Sequence, residues 1–98
     1  MYQSKLQSED LDRLFEAVLS LKTVEECYMF FEDICTISEL MSIGQRMKVA
    51  MLLEEHHTTH NISETTGAST ATISRVNRCL HYGAGGYQLV LDRLKEKE

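Results

Sequence analysis

The stretch from Thr36 to about Glu55 limits most strongly what this chain can become. It opens on Thr36-Ile37-Ser38-Glu39, a hydroxyl followed three residues later by a carboxylate, the pairing that satisfies free backbone N–H groups at a helix start. Ile37, Leu40, Met41, Ile43, Met47, Val49, Ala50, Met51, Leu52 and Leu53 then spread over more than one stripe of the helix so predicted. Two apolar surfaces on one helix require two packing partners. A chain of 98 residues supplies few elements to surround such a helix and buries a modest share of its own surface. The expectation is a single domain over 1–98 in which the helices at 8–56 interlock with those of a second copy, an intertwined homodimer.

The remaining segments also read as helix. No proline occurs anywhere, so nothing interrupts a helical backbone for want of an N–H. Ser8 before Glu9 and Asp10 is a cap with acids beside the positive end of the helix dipole, and Leu11, Leu14, Phe15, Val18 and Leu19 follow at 3.6-residue spacing. Thr23-Val24-Glu25-Glu26 repeats the capping pattern ahead of Tyr28, Phe30, Phe31 and Ile34. Gly83-Ala84-Gly85-Gly86 reads as a helix stop and hinge, and Tyr87, Val90, Leu91 and Leu94 lie on one face of a C-terminal helix at 87–95. The fold class is therefore all-α.

Charge is segregated along the chain. Residues 1–43 carry Glu9, Asp10, Asp12, Glu16, Glu25, Glu26, Glu32, Asp33 and Glu39 against Lys5, Arg13 and Lys22, a net −6 in a chain whose whole charge is −5. Residues 44–82 carry Arg46, Lys48, Arg75 and Arg78 against Glu54, Glu55 and Glu64, and residues 83–98 balance. A surface that attracts nucleic acid therefore belongs to 44–82 despite the acidic whole. The longest apolar run, Val49–Leu53, is far too short to cross a bilayer, and the first eight residues lack the apolar core of a signal peptide. A cytoplasmic protein without a membrane partner is expected. Cys27, Cys35 and Cys79 form no C-x-x-C pair, so neither a disulfide framework nor zinc-finger spacing is present; buried, reduced thiols are expected, with redox sensing the alternative.

Thr59–Arg78 reads THNISETTGASTATISRVNR and carries the functional signal. Gly67 stands where two short helices would cross through a tight turn that favours a left-handed backbone. Ile62, Thr66, Ala68, Ile73 and Val76 fall where side chains face between the helices, and Ser69 can cap the second one. Thr70, Ala71, Thr72 and Ser74 are left on or near its first turns, the part of a helix-turn-helix that enters the major groove of double-stranded DNA. Short hydroxyl and methyl side chains permit close approach, hydrogen-bond base edges directly or through water, and touch thymine methyls. Arg75 and Arg78 on the same helix can reach phosphates. The competing description is a helix pair in which Gly67 is only a cap and the hydroxyls are only solvated.

The runs Ile43-Gly44-Gln45-Arg46, Leu52-Leu53 and Gly67-Ala68-Ser69-Thr70-Ala71-Thr72-Ile73-Ser74-Arg75 resemble the Trp repressor superfamily, and within it the YerC/YecD group of Trp-repressor-like proteins. The resemblance covers roughly residues 36–94. It implies a six-helix Trp-repressor-like fold, the first three helices interlaced between two subunits and the helix-turn-helix at 59–80 reading DNA, in a transcriptional repressor. It also implies an effector pocket. Thr36, Arg46 and Arg75 match positions lining the family's tryptophan site, where two arginines flank the indole and one takes the carboxylate. Val76 stands in place of a glycine there, and Cys79 in place of a serine near the ligand's amino group. A β-branched side chain against the indole plane and a thiol as a poor hydrogen-bond partner imply either another small anion or no effector at all, and not tryptophan. His60 and Ser63 replace an arginine and a lysine, which implies weaker phosphate contact and a shallower salt dependence.

Two other classes compete. His56, His57 and His60, with His81 further on, suggest metal binding, because His56 and His60 are four apart; Thr58-Thr59 breaks that helix, however, and no nearby acid or thiol has ligand spacing. A protein-interaction module without DNA draws support from the acidic first half. No G-x-S-x-G elbow, phosphate-cradling glycine loop or Cys-His signature points to an enzyme, and no cofactor is implied.

Overall fold

The computed structural model describes residues 2–97 and contains six helices: α1 (Glu9–Leu19), α2 (Val24–Ile34), α3 (Ile37–Glu54), α4 (Thr59–Thr66), α5 (Thr70–Tyr82) and α6 (Gly86–Glu96). No strand occurs among the described residues. Five of the six helix starts carry a side-chain capping hydrogen bond, and α6 starts at the left-handed Gly85 without one. Ser8 Oγ accepts from the Leu11 N–H at 3.1 Å and Thr58 Oγ1 from the Asn61 N–H at 3.1 Å. Thr36 and Glu39 form the reciprocal box, the Thr36 N–H donating to Glu39 Oε1 at 2.8 Å and the Glu39 N–H to Thr36 Oγ1 at 3.1 Å. The box expected at Thr23 is offset: the Glu26 N–H bonds Thr23 Oγ1 at 3.0 Å, but the Glu26 carboxylate reaches one residue further and accepts from Lys22 at 2.8 Å.

The chain divides into two compact units, Met1–Leu40 and Met41–Glu98, with the boundary inside α3. In the N-terminal unit neither α1 nor α2 buries a residue. Leu11, Leu14, Val18, Phe30 and Phe31 are half-buried, whereas Leu19 is 84% and Ile37 85% exposed.

The second unit holds the core. Val49, Ala50 and Leu52 of α3, Ile62 of α4, Ala68 of the following turn, Ile73 and Val76 of α5 and Leu91 of α6 are buried together, with Met47, Leu53, Leu80 and Tyr87 packed against them. Full burial of an aliphatic side chain such as Ile62 or Ile73 stabilises by roughly 1.5–3 kcal/mol, so this cluster holds α4 and α5 in place. At the end of α3 the His56 N–H bonds the Leu53 carbonyl and the His57 N–H bonds the Leu52 carbonyl, with His56 at φ 66°, a Schellman cap with a non-glycine in the left-handed position.

The cysteines correct the expectation of burial. All three are free, but Cys27 and Cys79 are exposed and Cys35 is half-buried. Cys27 sits on a helix that buries nothing, and Cys79 is exposed although it stands three residues after the buried Val76 on α5. No helix is long and apolar enough to cross a membrane.

Candidate nucleic-acid interface

Helix α4 stops at Gly67, whose φ of 75° is left-handed and whose N–H bonds the Ser63 carbonyl at 2.8 Å. The turn Gly67-Ala68-Ser69 is then held from both sides. Thr66 Oγ1 donates to the Ile62 carbonyl at 2.7 Å and accepts from the Ala68 N–H at 3.1 Å, while Ser63 Oγ donates to the Ala68 carbonyl at 2.9 Å. Ala68 itself is 2% exposed, so its methyl anchors the turn in the core. Ser69 starts α5, its Oγ accepting from the Thr72 N–H at 3.1 Å.

With Ile73 and Val76 turned into the core, a 3.6-residue period puts Ala71, Ser74, Arg75 and Arg78 on the opposite side of α5, and all four are exposed, as is Thr70. Thr72 is half-buried at the flank, where its hydroxyl accepts from Ser69 Oγ at 3.1 Å. The first turns of α5 thus present hydroxyls and a methyl with arginines one turn behind. On α4, His60 is exposed and its Nε2 lies 3.2 Å from Glu64 Oε1.

The residues matched to an effector pocket have distinct environments. Thr36 is exposed and caps α3 in the N-terminal unit. In the second unit Arg46 is half-buried on α3, Arg75 and Cys79 are exposed on α5, and Val76 is 1% exposed inside the core cluster. Among the described residues neither Arg46 nor Arg75 has an ion-pair partner.

Three of the four histidines come together without the fourth. His56, His57 and His81 line a cavity of about 420 Å³ with Glu54, while His60 lies on α4 against Glu64. His57 Nδ1 is 2.9 Å from Asn61 Oδ1 and His81 Nδ1 2.9 Å from the Asn77 carbonyl. Among the described residues no three His, Cys, Asp or Glu side chains form a group that could hold a metal ion. Sequence reasoning missed two features here. One is Gln45, whose Nε2 donates to the Thr66 carbonyl at 3.2 Å from 21 residues away; the other is the left-handed His56. No local pattern marks the first, and the second is legible only as a helix end lacking glycine.

A short helix, a turn on a left-handed glycine and a second helix packed through Ile62, Ala68, Ile73 and Val76 define a helix-turn-helix regulator fold. The Trp repressor protein family matches residues 9–95. The uncharacterized protein YerC of Bacillus subtilis is 56% identical over 98 residues, spanning 100% of this chain and 94% of that one. The crystal structure of a TrpR-like protein from Eubacterium eligens superposes with a TM-score of 0.89 at 56% identity, covering 93% of this chain and 94% of that one. A Trp repressor candidate from Staphylococcus aureus gives a TM-score of 0.89 at 47% identity, covering 93% and 91%. The chain belongs to the Trp repressor family, a regulatory and non-enzymatic one.

Proposed function

We propose that this protein is a sequence-specific DNA-binding transcriptional regulator, a repressor that acts in the cytoplasm as an intertwined homodimer. The observation that carries the reading is the first half of α5. Thr70, Ala71 and Ser74 are exposed there beside a turn fixed by four hydrogen bonds, so short side chains on a rigid support are free to meet base edges. Ser69 and Thr72 flank them, Arg78 lies one turn behind within reach of a phosphate, and His60 supplies a weaker contact from α4. The absence of buried residues in α1 and α2 supports the dimer, because an isolated copy leaves Phe15, Leu19, Ile37 and Met41 in water. A twofold pair of reading helices takes half-sites about 10 base pairs apart. Arg46 and Arg75, neither with an acidic partner among the described residues, supply the positive charge for a small anionic effector, with Val76 and Cys79 beside Arg75 in sequence.

Selection of bound duplexes from a randomised pool, followed by footprinting, tests the reading. A recurrent twofold motif is expected. Recovery of sequences indistinguishable from the starting pool, with binding abolished by moderate salt, would leave only non-specific attraction and sink the proposal.

A further inference from the structure

We infer that Gln45 is a positioning residue, whose side-chain amide ties α3 to the turn of the helix-turn-helix and so sets the pose of α5. Thr66 is the last residue of α4, and its carbonyl has no partner further along the helix because Gly67 turns the chain away. Gln45 Nε2 fills that vacancy at 3.2 Å from a half-buried position. Among the described residues this is the only hydrogen bond joining positions more than five apart. It also lands at a node, since the Thr66 hydroxyl bonds both Ile62 and Ala68.

The core explains why one such bond matters. Val49 and Ala50 of α3 meet Ile62 and Ile73 through apolar contact, which is non-directional and tolerates a small rotation of the helix pair. A hydrogen bond weakens steeply when its angle is lost, so the Gln45–Thr66 bond supplies the directional constraint the core lacks. Its consequence for DNA rests on the function proposed above: a looser turn lets Thr70, Ala71 and Ser74 wander from the base edges, while attraction to phosphates persists.

The test compares the full-length protein with Gln45→Met, similar in length but without a donor, Gln45→Glu, similar in shape but an acceptor only, and Gln45→Lys, which restores a donor. Amide hydrogen exchange by NMR is read at Gly67 and Ala68 against Val49 and Ile73. Affinity is measured for a duplex selected by the wild-type protein and for a scrambled duplex of the same length. Met and Glu are expected to speed exchange at Gly67 and Ala68 by about fivefold, the worth of one net hydrogen bond, with Val49 and Ile73 unchanged. They should narrow the selected-to-scrambled affinity ratio by a similar factor, and Lys should restore both. Wild-type exchange at Gly67 and Ala68 in a folded Gln45→Met variant overturns the inference, whatever the DNA does. Faster exchange with an unchanged ratio overturns its link to base reading. If the wild-type protein itself does not distinguish the two duplexes, the function proposed above fails, and the exchange arm still decides the role of Gln45.

Discussion

The hydroxyl of Ser69 both accepts from the Thr72 N–H and donates to Thr72 Oγ1, each at 3.1 Å, so the cap of α5 and one of its candidate reading residues are a single unit. The Thr72 hydroxyl therefore has one contact already committed, whereas Ser74 is exposed and its hydroxyl has no hydrogen-bond partner among the described residues. Both Thr72→Ala and Ser74→Ala are expected to change sequence preference in selection from random DNA, Ser74→Ala more, while Arg78→Ala weakens all sequences alike. Unchanged preference in both hydroxyl variants would remove them from base readout. Ser69→Ala should cost about 1 kcal/mol of stability in denaturant unfolding, as for other lost caps.

His56 carries the one positive φ outside glycine among the described residues, 66°. A side chain in that region costs roughly 1–2 kcal/mol, and a glycine there loses about 0.5–1 kcal/mol more chain entropy on folding. The difference favours His56→Gly by about 0.5–1 kcal/mol, a rise of a few degrees in Tm at fixed protein concentration. A lower Tm would mean that the imidazole makes contacts worth more than its backbone strain.

The Glu39 carboxyl is held below the ordinary glutamate range by the backbone N–H of Thr36 and then by the Thr36 hydroxyl. A carboxyl depressed in the folded state stabilises above its unfolded pKa, and that contribution is lost as pH falls through the lower folded value. Urea midpoints should therefore fall more steeply below about pH 4.5 for the wild type than for Glu39→Gln, which keeps an acceptor but does not titrate. Parallel curves for the two proteins would show that the box at α3 contributes nothing charge-dependent.

Tryptophan is expected to bind with a Kd of about 1 mM or weaker, because a charge-assisted contact from an arginine, about 1.5–3 kcal/mol, is offset by the volume Val76 adds at a position that the resemblance matches to a glycine. Micromolar binding in titration calorimetry would refute this. Val76 is also core, and Val76→Ala should destabilise by about 1–3 kcal/mol, so ligand titrations of that variant belong at a temperature where it is folded.

Dimerisation should make thermal stability depend on protein concentration, and Leu19→Asp and Ile37→Asp should weaken self-association while costing the core of the second unit little, since both side chains are more than four-fifths exposed. Ultracentrifugation showing a folded monomer at micromolar concentration would contradict the dimer.

Much of this architecture is local and can be read from neighbouring residues. Ser8, Thr23, Thr36 and Ser69 announce helix starts because a side-chain oxygen three positions from an N–H needs no tertiary context, and Gly67 announces the turn because few other residues tolerate its φ. The helix-turn-helix core was legible for the same reason: Ile62, Ala68, Ile73 and Val76 lie close in sequence, so periodicity fixes which way they face. Tertiary structure alone decided what depends on distant partners. The thiols of Cys27 and Cys79 are exposed because burial depends on what packs against a helix and not on residue type. Three histidines gather at one cavity and His60 does not, because the packing of α5 and α6 brings His81 to the end of α3 while α4 carries His60 elsewhere. Gln45 finds the Thr66 carbonyl across 21 residues because the packing of α3 against α4 brings them together, and a directional bond between distant positions leaves no periodic trace in a sequence.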